Sequence, residues 1–136
     1  MPDDEAAAAD AGAGALATTD AFLATFNAGD ARGHAATLAY PHFRLASGDV
    51  RIWPTIERAT AAMELVFPAL RTATGWDHSA WDHRHVIHAG PDKVHLDVRF
   101  TRYRADGSVI GTYPAIYVVI TTDEGWRIQA RSSFAP

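Results

Sequence analysis

Hydrophobic and polar residues alternate most regularly over residues 94–104. The apolar set is Val94, Leu96, Val98 and Phe100, and the polar set is His95, Asp97, Arg99, Thr101 and Tyr103. A period of two predicts a half-buried antiparallel strand. We expect its polar face to line a cavity beneath helices and its apolar face to be covered by a second copy of the chain.

The pattern before this strand is helical. Residues 1–17 are mostly Ala, Asp and Gly, which bury little area, so we expect a disordered N-terminal tail there. Phe22, Leu23 and Phe26 then recur at helical spacing, and Gly29 ends the first helix. Asp30 is positioned to cap a short second helix, and Pro54 suits the first turn of a third, which Pro68 is expected to kink or split.

Strands account for the remainder. Gly48-Asp49 predicts a small hairpin before the third helix, and strands are expected at about 76–88, 93–104, 111–122 and 125–134. Three helices followed by an antiparallel meander predict an α+β domain over residues 18–136, with the helices on one face of a curved sheet. Several apolar residues are expected on the opposite face, where they favour a homodimer: Val98, Phe100, Ile116, Val118 and Ile120.

Composition narrows the function classes. The 136 residues fit one domain, and a net charge of −4 without a basic stripe argues against nucleic acid as a partner. The absence of cysteine excludes disulfide and thiolate chemistry. No run of about 18 apolar residues exists to span a membrane, and the acidic N-terminus does not resemble a signal peptide, so we expect a cytoplasmic protein.

The order of these elements resembles the nuclear-transport-factor-2-like superfamily, which includes SnoaL-like cyclases and ketosteroid isomerases. The C-terminal half resembles the association domain of calcium/calmodulin-dependent protein kinase II. The residues that carry this resemblance are 98–103 (Val-Arg-Phe-Thr-Arg-Tyr), Asp106-Gly107, Trp126 and 131–136 (Arg-Ser-Ser-Phe-Ala-Pro). It implies a cone-shaped, cystatin-like roll that encloses a pocket, and dimers formed through the sheet.

The resemblance also implies a binding residue. In the association domain, the arginine that matches Arg99 lies in the pocket and contacts small carboxylates, whereas a second pocket arginine falls at Tyr117 here. From the residues alone, the favoured interpretation is an ion pair of Arg99 with Asp97 or across strands on a solvated face, and only the resemblance favours the pocket. Arg131 is a second candidate anion contact or an ion-pair partner. Further candidate ligand contacts are the aromatic residues Tyr117, Tyr40, Trp53 and Tyr103.

Acid–base chemistry has weaker candidates in Asp97, His95 and His42. His83 and His85 share a predicted strand face, and His95 could join them as a third metal ligand. Because histidine is frequent in this chain, cross-strand hydrogen bonding and surface imidazoles are the favoured explanation of that group, and we expect neither a metal nor a cofactor.

These observations favour a homodimeric small-molecule-binding protein whose pocket is anchored by an arginine. Its expected ligand is a small organic anion or a polar-headed apolar compound. A cofactor-independent SnoaL-like enzyme (an isomerase, cyclase, dehydratase or hydrolase) is the alternative, and a pure oligomerisation module is the second alternative.

Overall fold

The computed structural model describes residues 2–136 and shows three helices and six strands. The helices are α1 (Pro2–Ala28), α2 (Ala31–Ala35) and α3 (Ile56–Thr74). The strands are β1 (Leu38–Ala46), β2 (Asp49–Trp53), β3 (Trp76–Ala89), β4 (Lys93–Arg104), β5 (Val109–Thr122) and β6 (Gly125–Ser133). The α+β class, the β1–β2 hairpin and the four long strands are therefore confirmed. No helix in the described range is long and apolar enough to cross a membrane.

The strands form one curved, unclosed sheet in the order β2-β1-β6-β5-β4-β3. Every neighbouring pair is antiparallel except β1 and β6, which run parallel. The expectation of a purely antiparallel sheet therefore misses this one pair. The parallel pair joins the N-terminal hairpin to the last strand, so β2 and β3 become the two edges.

The prediction of a disordered tail over residues 1–17 is wrong for the described part, where α1 begins at Pro2. Alanine is the strongest helix former, and its small side chain lets a helix approach a sheet closely. Ala11 and Ala15 are buried, and a Cβ added at Gly14 would lie 2.3 Å from the Trp126 ring. The small residues of α1 therefore allow the helix to pack closely against the sheet. Met1 lies outside the described residues.

Helix α3 is continuous through Pro68, so the helix is not split there. The helix begins one residue after Thr55, whose side chain accepts a hydrogen bond from the Arg58 amide, and it ends at Gly75 with φ of 74°. Met63 and Phe67 are buried on the side of α3 that faces the other elements, where they join the hydrophobic core.

The two faces of β4 are opposite to the prediction. Val94, Leu96 and Val98 are completely buried in the core beneath the helices, whereas half of the Arg99 side chain is exposed on the outer face. Alternation along a strand shows which residues share a face but not which face the helices cover. The apolar residues of α1 and α3 need an apolar partner, so they select the apolar face of β4.

Candidate functional site

A cavity lies between α1 and the inner, concave face of the sheet, and arginine and phenylalanine are its most frequent lining residues. Arg44 of β1, Arg102 of β4 and Arg131 of β6 line it from three strands. Its other lining residues are Phe22, Leu23, Phe26, Ser79, Trp81, Phe100, Tyr117, Ser133 and Ala135. No carboxylate side chain is among the described residues that line it. The cavity is therefore a cationic chamber with aromatic walls.

A second lobe continues this cavity beneath α3. It shares Phe26 and all three arginines with the first lobe, and it adds His34, Arg51, Trp53, Met63, Val66 and Pro136. The space that the centre of a water molecule can reach is about 40 Å³ in the first lobe and about 100 Å³ in the second. One water needs roughly 10–15 Å³ by this measure, so the first lobe has room for a group of a few heavy atoms.

Strand register brings the polar residues together. Arg44 lies opposite Arg131 across the parallel β1–β6 pair, and Tyr117 lies opposite Arg131 across β5 and β6. Arg102 follows Phe100 by two residues and so shares its face of β4. The site thus collects residues from four strands that are distant in sequence.

Arg131 is held from several sides. Its Nε donates to His42 Nε2 at 3.1 Å, and its guanidinium lies 5.2 Å from the centre of the Phe22 ring. Tyr117 lies opposite Arg131 in the register of β5 and β6. Burial lowers the pKa of Arg131 and raises that of Tyr117, although an arginine remains protonated in a protein. Arg131 is therefore a fixed cation, and none of the described residues that line the cavity around it has an acidic side chain.

Arg102 has an unused donor. The residue is 9% exposed, and its Nε is buried without a hydrogen-bond partner in the described structure. Its guanidinium lies 5.2 Å from the centre of the Tyr113 ring. Burial lowers the pKa of Arg102, and the charge of Arg44 lowers it further. The Trp81 Nε1 atom is also buried and unpaired, so two unpaired donors belong to residues that line this cavity.

Two buried histidines support the site. His42 Nδ1 lies 2.9 Å from the Ile128 carbonyl oxygen, so it must carry the proton, which leaves Nε2 free to accept from Arg131. Burial, followed by the charge of Arg131, lowers the pKa of His42 to about 3. The same two causes, in the same order, lower the pKa of His34 to about 3. Both rings are therefore neutral at pH 7.

The structure brings some of the residues named by sequence analysis into the cavity. Tyr117 and Arg131 line the first lobe, and Trp53 lines the second. His42 contacts the site through Arg131. Tyr40 instead lines a separate cleft, where its hydroxyl donates to the Ala35 carbonyl oxygen at 2.7 Å.

The remaining predicted residues lie outside. Arg99 pairs with Asp82 at 3.4 Å on the outer face, and Tyr103 stacks on His78 there, so the prediction that Arg99 and Tyr103 line the pocket is wrong. Asp97 and His95 lie on the same outer face and cannot act in the cavity. All four belong to the alternating polar residues of β4, whereas the helices cover the face formed by the apolar residues.

Sequence analysis missed Arg44 and Arg102. Arg102 has the same parity as Val98 and Phe100, so the alternation itself placed it on the apolar face. A single arginine that continues an otherwise apolar strand face was the available signal. Arg44 gave no comparable signal, because its position depends on pairing with the distant β6 strand.

The fold and the cavity together define a cystatin-like roll with an arginine-lined cavity between α1 and the sheet. Residues 13–133 match the family described as NTF2-like protein (DUF6841), and the chain belongs to this family. No curated protein gives a significant match.

Solved structures show the same fold. An NTF2-like protein with a cystatin-like fold from Novosphingobium aromaticivorans superposes with a TM-score of 0.75 at 15% identity, over 92% of this chain and 81% of the other. A structure assigned to the calcium/calmodulin-dependent protein kinase II association domains, from Xanthomonas campestris, gives 0.61 at 20% identity over 89% and 84%. A ketosteroid isomerase-like protein from Erwinia carotovora atroseptica gives 0.66 at 20% identity over 91% and 96%.

Proposed function

We propose that this protein binds a small organic anion, with its carboxylate in the arginine-lined lobe and its apolar part against the aromatic walls. The convergence of Arg44, Arg102 and Arg131 in a lobe that no acidic side chain of the described residues lines is the observation that carries the proposal. Arg99, which sequence analysis chose as the anchor, is replaced by Arg102 of the same strand.

Electrostatics supports an anionic ligand. Burying a charge without an opposite charge is costly, and like charges that share a cavity add to the cost. The charge of Arg44 lowers the pKa of both Arg102 and Arg131. A bound carboxylate would satisfy unused guanidinium donors through charge-assisted hydrogen bonds, each contributing about 1.5–3 kcal/mol.

The shape of the cavity limits the ligand. Phe22, Trp81 and Phe100 form apolar walls beside the arginines, and the first lobe accepts only a small head group. A compact aliphatic or aromatic carboxylate fits this combination of a small polar lobe and an apolar wall. A large polyanion does not.

Binding can be tested with a matched pair of variants on β4. We expect butyrate and benzoate to raise the melting temperature of the wild-type protein, and benzamide, the neutral counterpart of benzoate, to have no effect. Arg102→Met removes the cavity charge, whereas Arg99→Met removes a charge from the outer face of the same strand. Calorimetry should show binding that is about tenfold or more weaker for Arg102→Met and unchanged for Arg99→Met. Equal affinities in the two variants would contradict the proposal.

An acid–base enzyme is the second candidate function, and it is supported by the structural similarity to a ketosteroid isomerase-like protein. The lining residues provide the Tyr117 hydroxyl and the neutral His34 ring, but no Asp or Glu side chain in the described range that could act as a general base. The cavity therefore favours binding over proton transfer.

We also propose that the protein is a homodimer through the outer face of the sheet. Apolar side chains project there from the β1–β2 hairpin and β5, and between a third and two-thirds of each is exposed: Phe43, Leu45, Val50, Ile52 and Ile116. Val98 and Phe100, which sequence analysis added to this face, lie on the inner one. A second copy of the same face would cover this patch, as expected for a two-fold symmetric interface.

Sedimentation velocity at micromolar concentration tests the dimer. We expect wild-type protein to sediment as a dimer and Leu45→Asp as a monomer. Leu65→Asp is the control, because Leu65 is 75% exposed on α3, away from the sheet. A monomeric wild type would contradict the proposal. A dimer that binds none of the tested anions would support the oligomerisation module instead.

A further inference from the structure

A second group of chemically reactive side chains lies on the outer face of the sheet, on the opposite side from the cavity. His83 and His85 are two residues apart on β3 and project from the same face. Asp97 lies on the neighbouring β4, directly opposite His85 in the register. The three side chains thus come from two adjacent, hydrogen-bonded strands, which fix their backbone positions.

The distances within this group are short. Asp97 presents one carboxylate oxygen to each histidine, with Oδ1 at 3.3 Å from His83 Nε2 and Oδ2 at 4.0 Å from His85 Nδ1. The two imidazole rings stack with their centres 4.5 Å apart. One ligand atom from each of the three side chains lies within 4.8 Å of the others. Ligand atoms about 2.0–2.2 Å from a tetrahedral ion are separated by about 3.4 Å, so small side-chain rotations bring all three into position.

We propose that His83, His85 and Asp97 bind a divalent transition-metal ion, with zinc as the reference ion. Two imidazole nitrogens and one carboxylate oxygen form a donor set that suits zinc, cobalt and nickel, and solvent would complete the coordination. About a third of the His83 side chain and 70% of the His85 side chain are exposed, so an ion can reach them.

The surrounding charges leave Asp97 available to the ion. Arg99 lies opposite His83 in the register and is the nearest cation on this face of β4. Its Nε points to Asp82 at 3.4 Å, and Asp82 also accepts from the Thr101 hydroxyl at 2.7 Å. Arg99 is therefore engaged by a different carboxylate, and the histidines are the partners of Asp97.

The third ligand differs from the one that sequence analysis considered. His95 pairs with His88, with their Nδ1 atoms 3.1 Å apart. Asp97 takes its place beside His83 and His85. The exchange replaces a neutral ligand by an anionic one, which strengthens the attraction for a divalent cation.

Metal binding can be measured directly on protein purified without a histidine tag. Titration with zinc chloride at pH 8 should show one saturable site of micromolar affinity in calorimetry, and cobalt chloride should produce visible absorption bands. We expect His83→Ala and Asp97→Asn to weaken binding about tenfold or more, since loss of even an indirect partner of a metal typically costs that much.

His88→Ala is the matched control, because it removes an exposed histidine from the same strand outside the group. It should bind zinc as the wild type does, and Arg102→Met should do so as well, which separates this site from the anion cavity. Absence of a saturable site in the wild type would overturn the proposal and leave only His–Asp hydrogen bonds. An equal loss in His88→Ala would also overturn it, because imidazoles in general would then account for the binding.

Discussion

Acid should destabilise this protein through its two buried histidines, and His42 allows the sharpest test. His42 is completely buried, and its pKa falls from 6.5 to about 3 on folding because of burial and the charge of Arg131. Below pH 6.5 the unfolded chain therefore binds a proton at this residue that the folded chain does not. Stability is complete above the unfolded pKa and is lost as the pH falls from 6.5 towards 3.

The loss can be calculated for pH 5. An unfolded histidine is then almost fully protonated, and folded His42 is still almost fully neutral. At 1.36 kcal/mol per pH unit, over the roughly 1.5 pH units between 5 and 6.5, the free energy of unfolding falls by about 2 kcal/mol. His34, with a pKa also lowered to about 3, contributes about 2 kcal/mol more. A combined loss of about 4 kcal/mol is a large part of the total stability of about 5–15 kcal/mol of a typical domain.

Urea unfolding between pH 5 and pH 8, followed by tryptophan fluorescence, measures this loss. His42→Gln keeps a neutral side chain that cannot be protonated, so the decrease in unfolding free energy between pH 8 and pH 5 should be about 2 kcal/mol smaller than in the wild type. His34→Gln should show the same reduction, and it provides the comparison if His42→Gln does not fold. An unchanged pH dependence in both variants would refute the reasoning.

Two further predictions concern the attachment of α1. Gly14→Ala places a Cβ 2.3 Å from the Trp126 ring and should lower the unfolding free energy by about 1–3 kcal/mol in the same urea assay. Gly12→Ala, whose Cβ meets its nearest atom at 3.5 Å, should raise the unfolding free energy by up to about 1 kcal/mol. A similar effect at both sites would contradict the packing of α1. The Asn27 side chain hydrogen bonds with the Ser79 backbone, donating from Nδ2 at 2.9 Å and accepting at Oδ1 at 2.8 Å. Asn27→Ala should therefore lower the unfolding free energy by about 2–4 kcal/mol and also weaken anion binding at the cavity. An unchanged melting temperature would show that this contact is dispensable.

Local patterns predicted the elements well because period and turn chemistry are local properties. The Gly48-Asp49 hairpin, the end of α1 just before Gly29 and the long β4 strand all follow from neighbouring residues. The family resemblance, which also rests on local motifs, predicted the correct fold. These signals need no knowledge of what packs against each element.

The identity of the cavity arginines could not be predicted in the same way. Arg99 and Arg102 lie three residues apart on one strand and project from opposite faces, and only the packing of the helices decides which face is enclosed. The role of residues 1–17 depends on tertiary structure too, because a stretch of alanine and glycine is either unstructured or closely packed according to what lies beside it. Here Gly14 packs closely against Trp126, which is more than one hundred residues away in sequence.

The parallel pairing of β1 with β6 has a consequence for how the molecule folds. His42 and Arg131, which hydrogen bond across this pair, are 89 residues apart in sequence. Closing such a long loop costs entropy before any contact repays it, so contacts of this kind slow folding. The helices and the β3–β6 meander can form first, and the β1–β2 hairpin can join the sheet only when β6 is in place. The cationic cavity should therefore be among the last parts of the protein to form, and ligand binding would report the completion of folding.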